Sequence, residues 1–204
     1  MKSIIAGLVA AALGCSAGNV QAATPDISWT YVSAGYAKAT LKNIAGNDVD
    51  MNGYQLKGSY SLSDNWYLHA SYYDVSGDLP FLDDIAGLEF EASELQLGLG
   101  LRQAVSDNID SFVEAAYVRS DVGVVGFEND SLNGFQAGAG VRYRVIPQLE
   151  LLAALRYNDG SDVDSSTYGD IAMRYRLTAM FDLYVNYQFD SEASLFGAGV
   201  VLNF

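Results

Sequence analysis

The chain has little cysteine, little histidine and few bases. Cys15 and His69 are the only residues of their kinds among 204. One cysteine excludes a disulfide framework within the chain. Lys and Arg number 11 against 25 Asp and Glu, a formal charge of −14. Phosphate backbones are held by Lys and Arg, so this balance argues against nucleic acid as a partner. Long hydrophobic runs are missing as well. Residues 23–204 contain no apolar stretch of about 18 or more, so no membrane-spanning helix is expected there.

The first 22 residues read as a secretory leader. Lys2 supplies the positive start, Ile4 to Leu13 the apolar stretch, and Val20-Gln21-Ala22 the small residues for cleavage after Ala22. The stretch is short of the ~20 apolar residues that cross a bilayer as a helix. Ala12-Leu13-Gly14-Cys15 is a loose version of a lipidation box, and we read Cys15 as a small residue inside a removable leader. Cleavage would leave no thiol. Setting Lys2 aside leaves 10 bases against 25 acids, a net −15. With no linker or low-complexity segment, residues 23–204 read as one domain.

What is present is alternation. The last ten residues, L-F-G-A-G-V-V-L-N-F, place Phe196, Ala198, Val200, Leu202 and Phe204 on one face. Similar period-2 segments fall at 28–41, 53–62, 66–75, 93–103, 110–120, 133–144, 149–158, 168–177 and 181–190. Each is close to the 9–11 residues a tilted transmembrane strand needs. One row of each segment is almost purely apolar and the other is charged and glycine-rich. A soluble β-sandwich also alternates, but three features point elsewhere. The polar row suits a wet or ion-paired interior. Short connections near 63–65, 104–109, 145–148 and 178–180 alternate with longer ones near 42–52, 76–88, 121–132, 159–167 and 191–194. Aromatics gather at both segment ends: Trp29, Tyr31, Tyr60, Trp66, Tyr143, Tyr175, Phe181 and Phe204 at one, Tyr54, Tyr72, Phe135, Tyr157, Tyr187, Phe189 and Phe196 at the other. In a membrane without a helix, only a closed barrel satisfies its backbone. The expectation is all-β: an antiparallel up-and-down transmembrane β-barrel of ten strands, with eight as the alternative.

The segments S-W-T-Y-V-S-A-G-Y-A-K (28–38) and N-G-Y-Q-L-K-G-S-Y (52–60), with the aromatic tail, resemble the small OmpA/OmpX/opacity-type outer-membrane β-barrel family. The resemblance covers the mature chain, although its motifs are generic. It implies the outer membrane of a Gram-negative bacterium, and a last strand read by the barrel assembly machinery at Gly199, Leu202 and Phe204. An even strand number puts both mature termini in the periplasm. Outer-membrane lipid and lipopolysaccharide are the expected surroundings, and a monomer the expected state. No OmpA-type peptidoglycan-binding domain is expected after Phe204.

The alternation assigns Lys38, Lys57, Arg102, Arg142, Arg144, Arg156, Arg174 and Arg176 to the lumen, facing Glu94, Glu114, Glu150, Asp170 and Asp182. A buried charge needs an opposite partner, so these can build an ion-paired plug. The alternative is a narrow anion-selecting passage. Small barrels are generally filled by side chains, which favours the plug.

The longer connections carry acids: Asp48, Asp50, Asp78, Asp83, Asp84, Glu89, Glu91, Asp121, Glu128, Asp130, Asp159, Asp162, Asp164, Asp190 and Glu192. Asp159, Asp162 and Asp164 come closest to a calcium loop but lack its spacing and terminal Glu, so a solvated acidic surface is the better reading and no metal is assigned. Two of these connections are oddly apolar, at Leu79 to Leu82 with Ile85, and at D-V-G-V-V-G-F (121–127), the second able to extend a hairpin beyond the membrane. They suit either packing over the barrel mouth or an edge that adds a partner strand.

His69 shares the inward row with Tyr67, Ser71 and Tyr73. Barrel enzymes use His with Asp or Ser. His69 lies three residues from the start of its segment, and we read it as an ordinary hydrogen-bonded lumen side chain. No catalytic residue and no cofactor are assigned. The expected function is a structural or surface-interaction role through acidic loops around a mostly filled lumen. A small porin-like channel is the alternative and a barrel enzyme the remote one.

Overall fold

The computed structural model describes residues 27–44, 46–78, 89–125, 130–160 and 165–204. The leader, the cleavage site at Ala22 and Cys15 lie outside them, as do the apolar connection 79–88, residues 126–129 and Asp162 and Asp164. Ten strands follow in order: β1 (Tyr31–Ile44), β2 (Asn47–Ser61), β3 (Trp66–Asp78), β4 (Glu89–Ser106), β5 (Ile109–Val124), β6 (Asp130–Ile146), β7 (Leu149–Gly160), β8 (Ser166–Arg176), β9 (Phe181–Phe189) and β10 (Ala193–Asn203). Each pairs antiparallel with its neighbours, and β1 with β10 closes the barrel. Closure leaves no unpaired edge among the strands, which a lipid environment demands.

We call the end with connections 62–65, 107–108, 147–148 and 177–180 the turn end, and the opposite one the loop end. Every strand has one row outside and one inside. On β4, Leu97, Leu99 and Leu101 are exposed while Gln96 and Gly100 are buried. On β10, Phe196 and Val200 are exposed while Leu195, Val201 and Asn203 are buried, and Phe204, just past its end, is exposed.

The structure corrects three local readings. The connection expected at 42–52 is a tight hairpin: β1 runs to Ile44 and β2 starts at Asn47. Val49 and Met51 keep the inward alternation and are almost wholly buried, so pairing continues past the membrane band. Asn43 (φ 57°) and Gly46 (φ 85°) take the positive φ the reversal needs, and the Asn43 N–H donates to Asp48 Oδ1 at 3.0 Å. Likewise, the connection expected near 121–132 is shorter, because the apolar 121–127 segment does extend its hairpin, with Val122 and Val124 paired to Ala92 and Phe90. Finally, β1 begins at Tyr31 rather than residue 28, and residues 27–30 precede it.

The inward glycines explain how so narrow a barrel holds large side chains. A Cβ on Gly100 would strike the Tyr67 ring, one on Gly98 the His69 ring, and one on Gly140 the Phe112 ring at 2.7 Å. Each glycine is the space into which a neighbouring strand's large inward side chain lies, so small and large alternate around the wall. Gly100→Leu is therefore expected to displace Tyr67 and cost about 1–3 kcal/mol of stability, the usual range for overpacking. Urea midpoints in lipid vesicles measure it, with the lipid-facing Leu99→Ile as the near-neutral control.

Candidate functional site

Among the described residues, polar and charged side chains converge in the lumen, where they lie in three layers. At the turn end the chain preceding β1 folds back inside. Ile27 and Trp29 are buried against Tyr67, Phe112, Ala154 and Leu152. Trp29 is 5 % exposed, its ring centroid lies 4.5 Å from that of Tyr67, and its Nε1–H donates to Asp110 Oδ2 at 2.7 Å. The Arg142 guanidinium sits 4.3 Å from the Trp29 ring centre and donates to the Ser28 carbonyl at 2.9 Å. Arg142 also pairs with Glu150 at 2.6 Å. Arg174 pairs with Asp182 at 2.8 Å, donates to Asn203 Oδ1 at 2.8 Å, and lies 4.5 Å from the centre of the Tyr31 ring. Arg176 reaches Asp182 at 3.8 Å and Arg102 reaches Asp110 at 3.8 Å. Arg144 donates to the Asp107 carbonyl and to Asn108 at the rim.

The middle layer centres on Arg156. It forms an ion pair with Glu114, reaches Asp170 at 3.0 Å and donates to Gln136 Oε1 at 3.1 Å. The Tyr67 hydroxyl donates to Glu114 Oε2 at 2.8 Å. Gln136 in turn donates to Asn158 and to the Tyr168 hydroxyl, at 3.0 and 2.7 Å. Glu94 accepts from Gln96 at 2.7 Å and from Ser120 at 3.0 Å. Lys57, on the inward row of β2, enters the same space. Nearer the loop end, Ala37, Val49, Met51, Val75 and Leu195 form an apolar cluster with Ala39, Leu41, Tyr73, Phe90 and Ala92 packed on it.

Two placements read from alternation are corrected here. Lys38 faces outward, because β1 inserts its odd-numbered side chains. Its ammonium pairs with Asp50 at 2.7 Å on the outer surface, both half-exposed. Trp29 and Tyr31 are interior rather than rim aromatics, because Trp29 belongs to the fold-back and Tyr31 to the odd row. The other lumen residues named from sequence project inward. Asp110 was missed, although the β5 row 110, 112, 114 that contains Glu114 would have shown it. His69 is inside, yet its Nε2 finds no hydrogen-bond partner among the described residues. The Glu114 carboxylate lies 3.9 Å away and is already held by Tyr67 and Arg156.

The outside carries the membrane signature. Tyr60, Trp66, Tyr143, Tyr175, Phe181 and Phe204 ring the turn end, each exposed. At the loop end the tyrosines turn their hydroxyls to a polar belt one step beyond. Tyr36 donates to Asn52, Tyr117 to Asn133 at 2.5 Å, Tyr54 to Asp74 at 3.3 Å and Tyr157 to Asp159 at 3.2 Å. A phenol with its ring in hydrocarbon and its hydroxyl in a polar layer suits a membrane interface. Beyond the belt, Asp48, Asp50, Asp78, Asp130 and Glu192 are exposed. Among the described residues no group of three or more His, Cys, Asp or Glu could hold a metal ion.

A closed ten-strand barrel with an apolar outer wall, two aromatic rings and a charged interior defines an integral outer-membrane barrel. The outer membrane protein beta-barrel domain family matches residues 7–204, and the chain belongs to that family. Its location is therefore the outer membrane of a Gram-negative bacterium. No curated protein matches the sequence. Solved structures share the fold at low identity. Neisserial surface protein A (NspA) is 16 % identical over 87 % of this chain and 98 % of its own, with a TM-score of 0.48. KdgM porin in complex with disordered oligogalacturonate is 13 % identical over 84 % and 99 %, with a TM-score of 0.50. Ail, the attachment invasion locus protein of Yersinia pestis, is 15 % identical over 86 % and 97 %, with a TM-score of 0.43.

Proposed function

We propose that this protein is a non-enzymatic outer-membrane anchor whose filled barrel displays acidic loops at the cell surface for contact with a partner. One observation carries the reading. The lumen holds side chains at three successive depths, the Trp29 fold-back, the Arg156 network and the apolar cluster around Met51. A passive channel for ions or small solutes needs a continuous wet path, and these layers oppose one. With transport disfavoured, what remains is the surface the barrel presents.

All the turn-end connections are short and the strand ends next to both termini lie there, whereas the longest connection, 79–88, lies at the loop end, which fits the usual periplasmic arrangement of the turn end. The loop end then faces outward and carries an exposed acidic surface suited to a cationic partner or to cations bridging lipopolysaccharide. In β10, Leu202 faces lipid and Gly199 pairs with Gly35, while the Phe204 N–H donates to the Thr30 carbonyl at 3.4 Å. These positions fit the role of an assembly signal, and outer-membrane lipid and lipopolysaccharide remain the expected surroundings of a monomer.

Single cysteines placed by Asp48→Cys (loop end) and Ala179→Cys (turn end) test the display. A membrane-impermeant maleimide added to intact cells is expected to label position 48, and to label position 179 only after the outer membrane is opened. The reverse pattern would overturn the reading.

A further inference from the structure

We propose that Gln55 and Asn186 form a clasp that holds the β1–β10 seam shut from inside the lumen. That seam differs from the other pairings in the wall. Every other pair of neighbouring strands is consecutive in the chain, whereas β1 and β10 are its first and last. They meet only when the barrel closes, and no short connection holds them together afterwards. The middle of the seam is also poor in side chains. On its inward row Gly35 faces Gly199 and Ala37 faces Gly197. Cross-strand side-chain pairs stabilise a sheet beyond its backbone ladder, and these positions offer almost none.

What the seam lacks is supplied by the strands on either side. Gln55 sits on β2 opposite Gly35, and Asn186 sits on β9 opposite Gly197. Their backbones are three strand spacings apart, about 14 Å along the wall. The bare glycines let both side chains lean over the seam and meet. Gln55 Nε2 donates to Asn186 Oδ1 at 3.0 Å and to the Tyr36 carbonyl of β1 at 3.3 Å. Gln55 and Asn186 are 1 % and 4 % exposed, so water competes little for these bonds. Gln55 Oε1 and Asn186 Nδ2 have no hydrogen-bond partner among the described residues, so a single bond joins the pair. A Cβ on Gly197 would strike Gln55 Nε2 and Asn186 Oδ1, and its three nearest atoms would all belong to the clasp. A second side chain takes the same course. Tyr184 of β9 carries its hydroxyl across β10 to lie over Gly35 and beside Ser33 of β1. The clasp can form only after β1 has met β10. Once made, it resists their parting, which would open the charged lumen to lipid.

Amide hydrogen exchange, read strand by strand on the folded barrel in lipid nanodiscs, tests the clasp because it reports local opening. Gln55→Met and Asn186→Leu keep the bulk and remove the bond. Each is expected to speed exchange on β1 and β10 roughly fivefold to tenfold, the worth of one hydrogen bond, and to leave β4 and β5 unchanged. The double variant should open the seam no further than either single one. Unchanged exchange at the seam, or an equal rise all around the barrel, would overturn the proposal. If these variants fail to fold, Gly197→Ala decides. Its methyl is expected to part the clasp and speed seam exchange in the native chain, yet to add nothing in a Gln55→Ala chain. No effect in the native chain would overturn the proposal, and so would an undiminished effect beside Gln55→Ala, because the methyl would then act on the backbone.

Discussion

Arg156→Met is expected to destabilise the barrel by about 3–5 kcal/mol, the cost of stripping the partner from buried charges. Arg156 is the hub of the middle layer, serving Glu114, Asp170 and Gln136 at once. Methionine fills much of the vacated volume, so the loss comes from two carboxylates left in the interior rather than from a cavity. That origin has a second consequence. Neutralising both acids in the same chain, as Arg156→Met with Glu114→Gln and Asp170→Asn, is expected to restore most of the stability. A buried ion network exchanged for neutral groups of similar size is often close to neutral overall. Urea titration in lipid vesicles, followed by the emission of lipid-facing Trp66, gives both numbers. A loss under about 1 kcal/mol for the single variant would mean that water already solvates these carboxylates.

Trp29→Ala is expected to cost a similar amount, about 3–5 kcal/mol, as large-to-small changes at buried tryptophans do. The indole fills the turn end between Tyr67, Phe112 and Arg142, and its N–H satisfies Asp110. Removing it empties that space and, among the described residues, leaves the Asp110 carboxylate the 3.8 Å contact to Arg102. Trp29→Phe is expected to lose less, keeping the ring contacts and forfeiting the hydrogen bond. Fluorescence separates the two sites. Trp66 is 43 % exposed on the lipid side, so quenchers on lipid acyl chains are expected to dim Trp66 and spare Trp29. Equal quenching of both would place Trp29 on the rim instead.

Much of this architecture was legible in the alternation because a barrel wall obeys a strict period of two. Once Leu97, Leu99 and Leu101 are assigned to lipid, Gln96, Gly98 and Gly100 must face inward. The same rule placed Arg142, Arg156 and Asp182 inside and Leu202 outside. It failed at Trp29 because periodicity is silent once a strand ends. Read as the start of β1, Trp29 resembles a rim aromatic, whereas the chain turns into the lumen before Tyr31. Lys38 went wrong for a related reason. Lys38 was read into the inward row with the other bases, although β1 sends its odd residues in and a carboxylate outside, Asp50, pairs with it. The long connection expected at 42–52 failed because Asp48 and Asp50 look like loop residues, while Val49 and Met51 between them continue the inward row. Which acid meets which base depends on strand stagger around the barrel, and no local pattern carries that.

The central claim, a lumen closed by its own side chains, is tested most directly by single-channel recording. The purified, refolded barrel is inserted into a planar bilayer in concentrated KCl, with insertion confirmed by protease protection of the strands in matched vesicles. The account expects no reproducible step in conductance, because Trp29, Arg156 and the Met51 cluster block the path in series. Stable, uniform open steps from the native protein would contradict it.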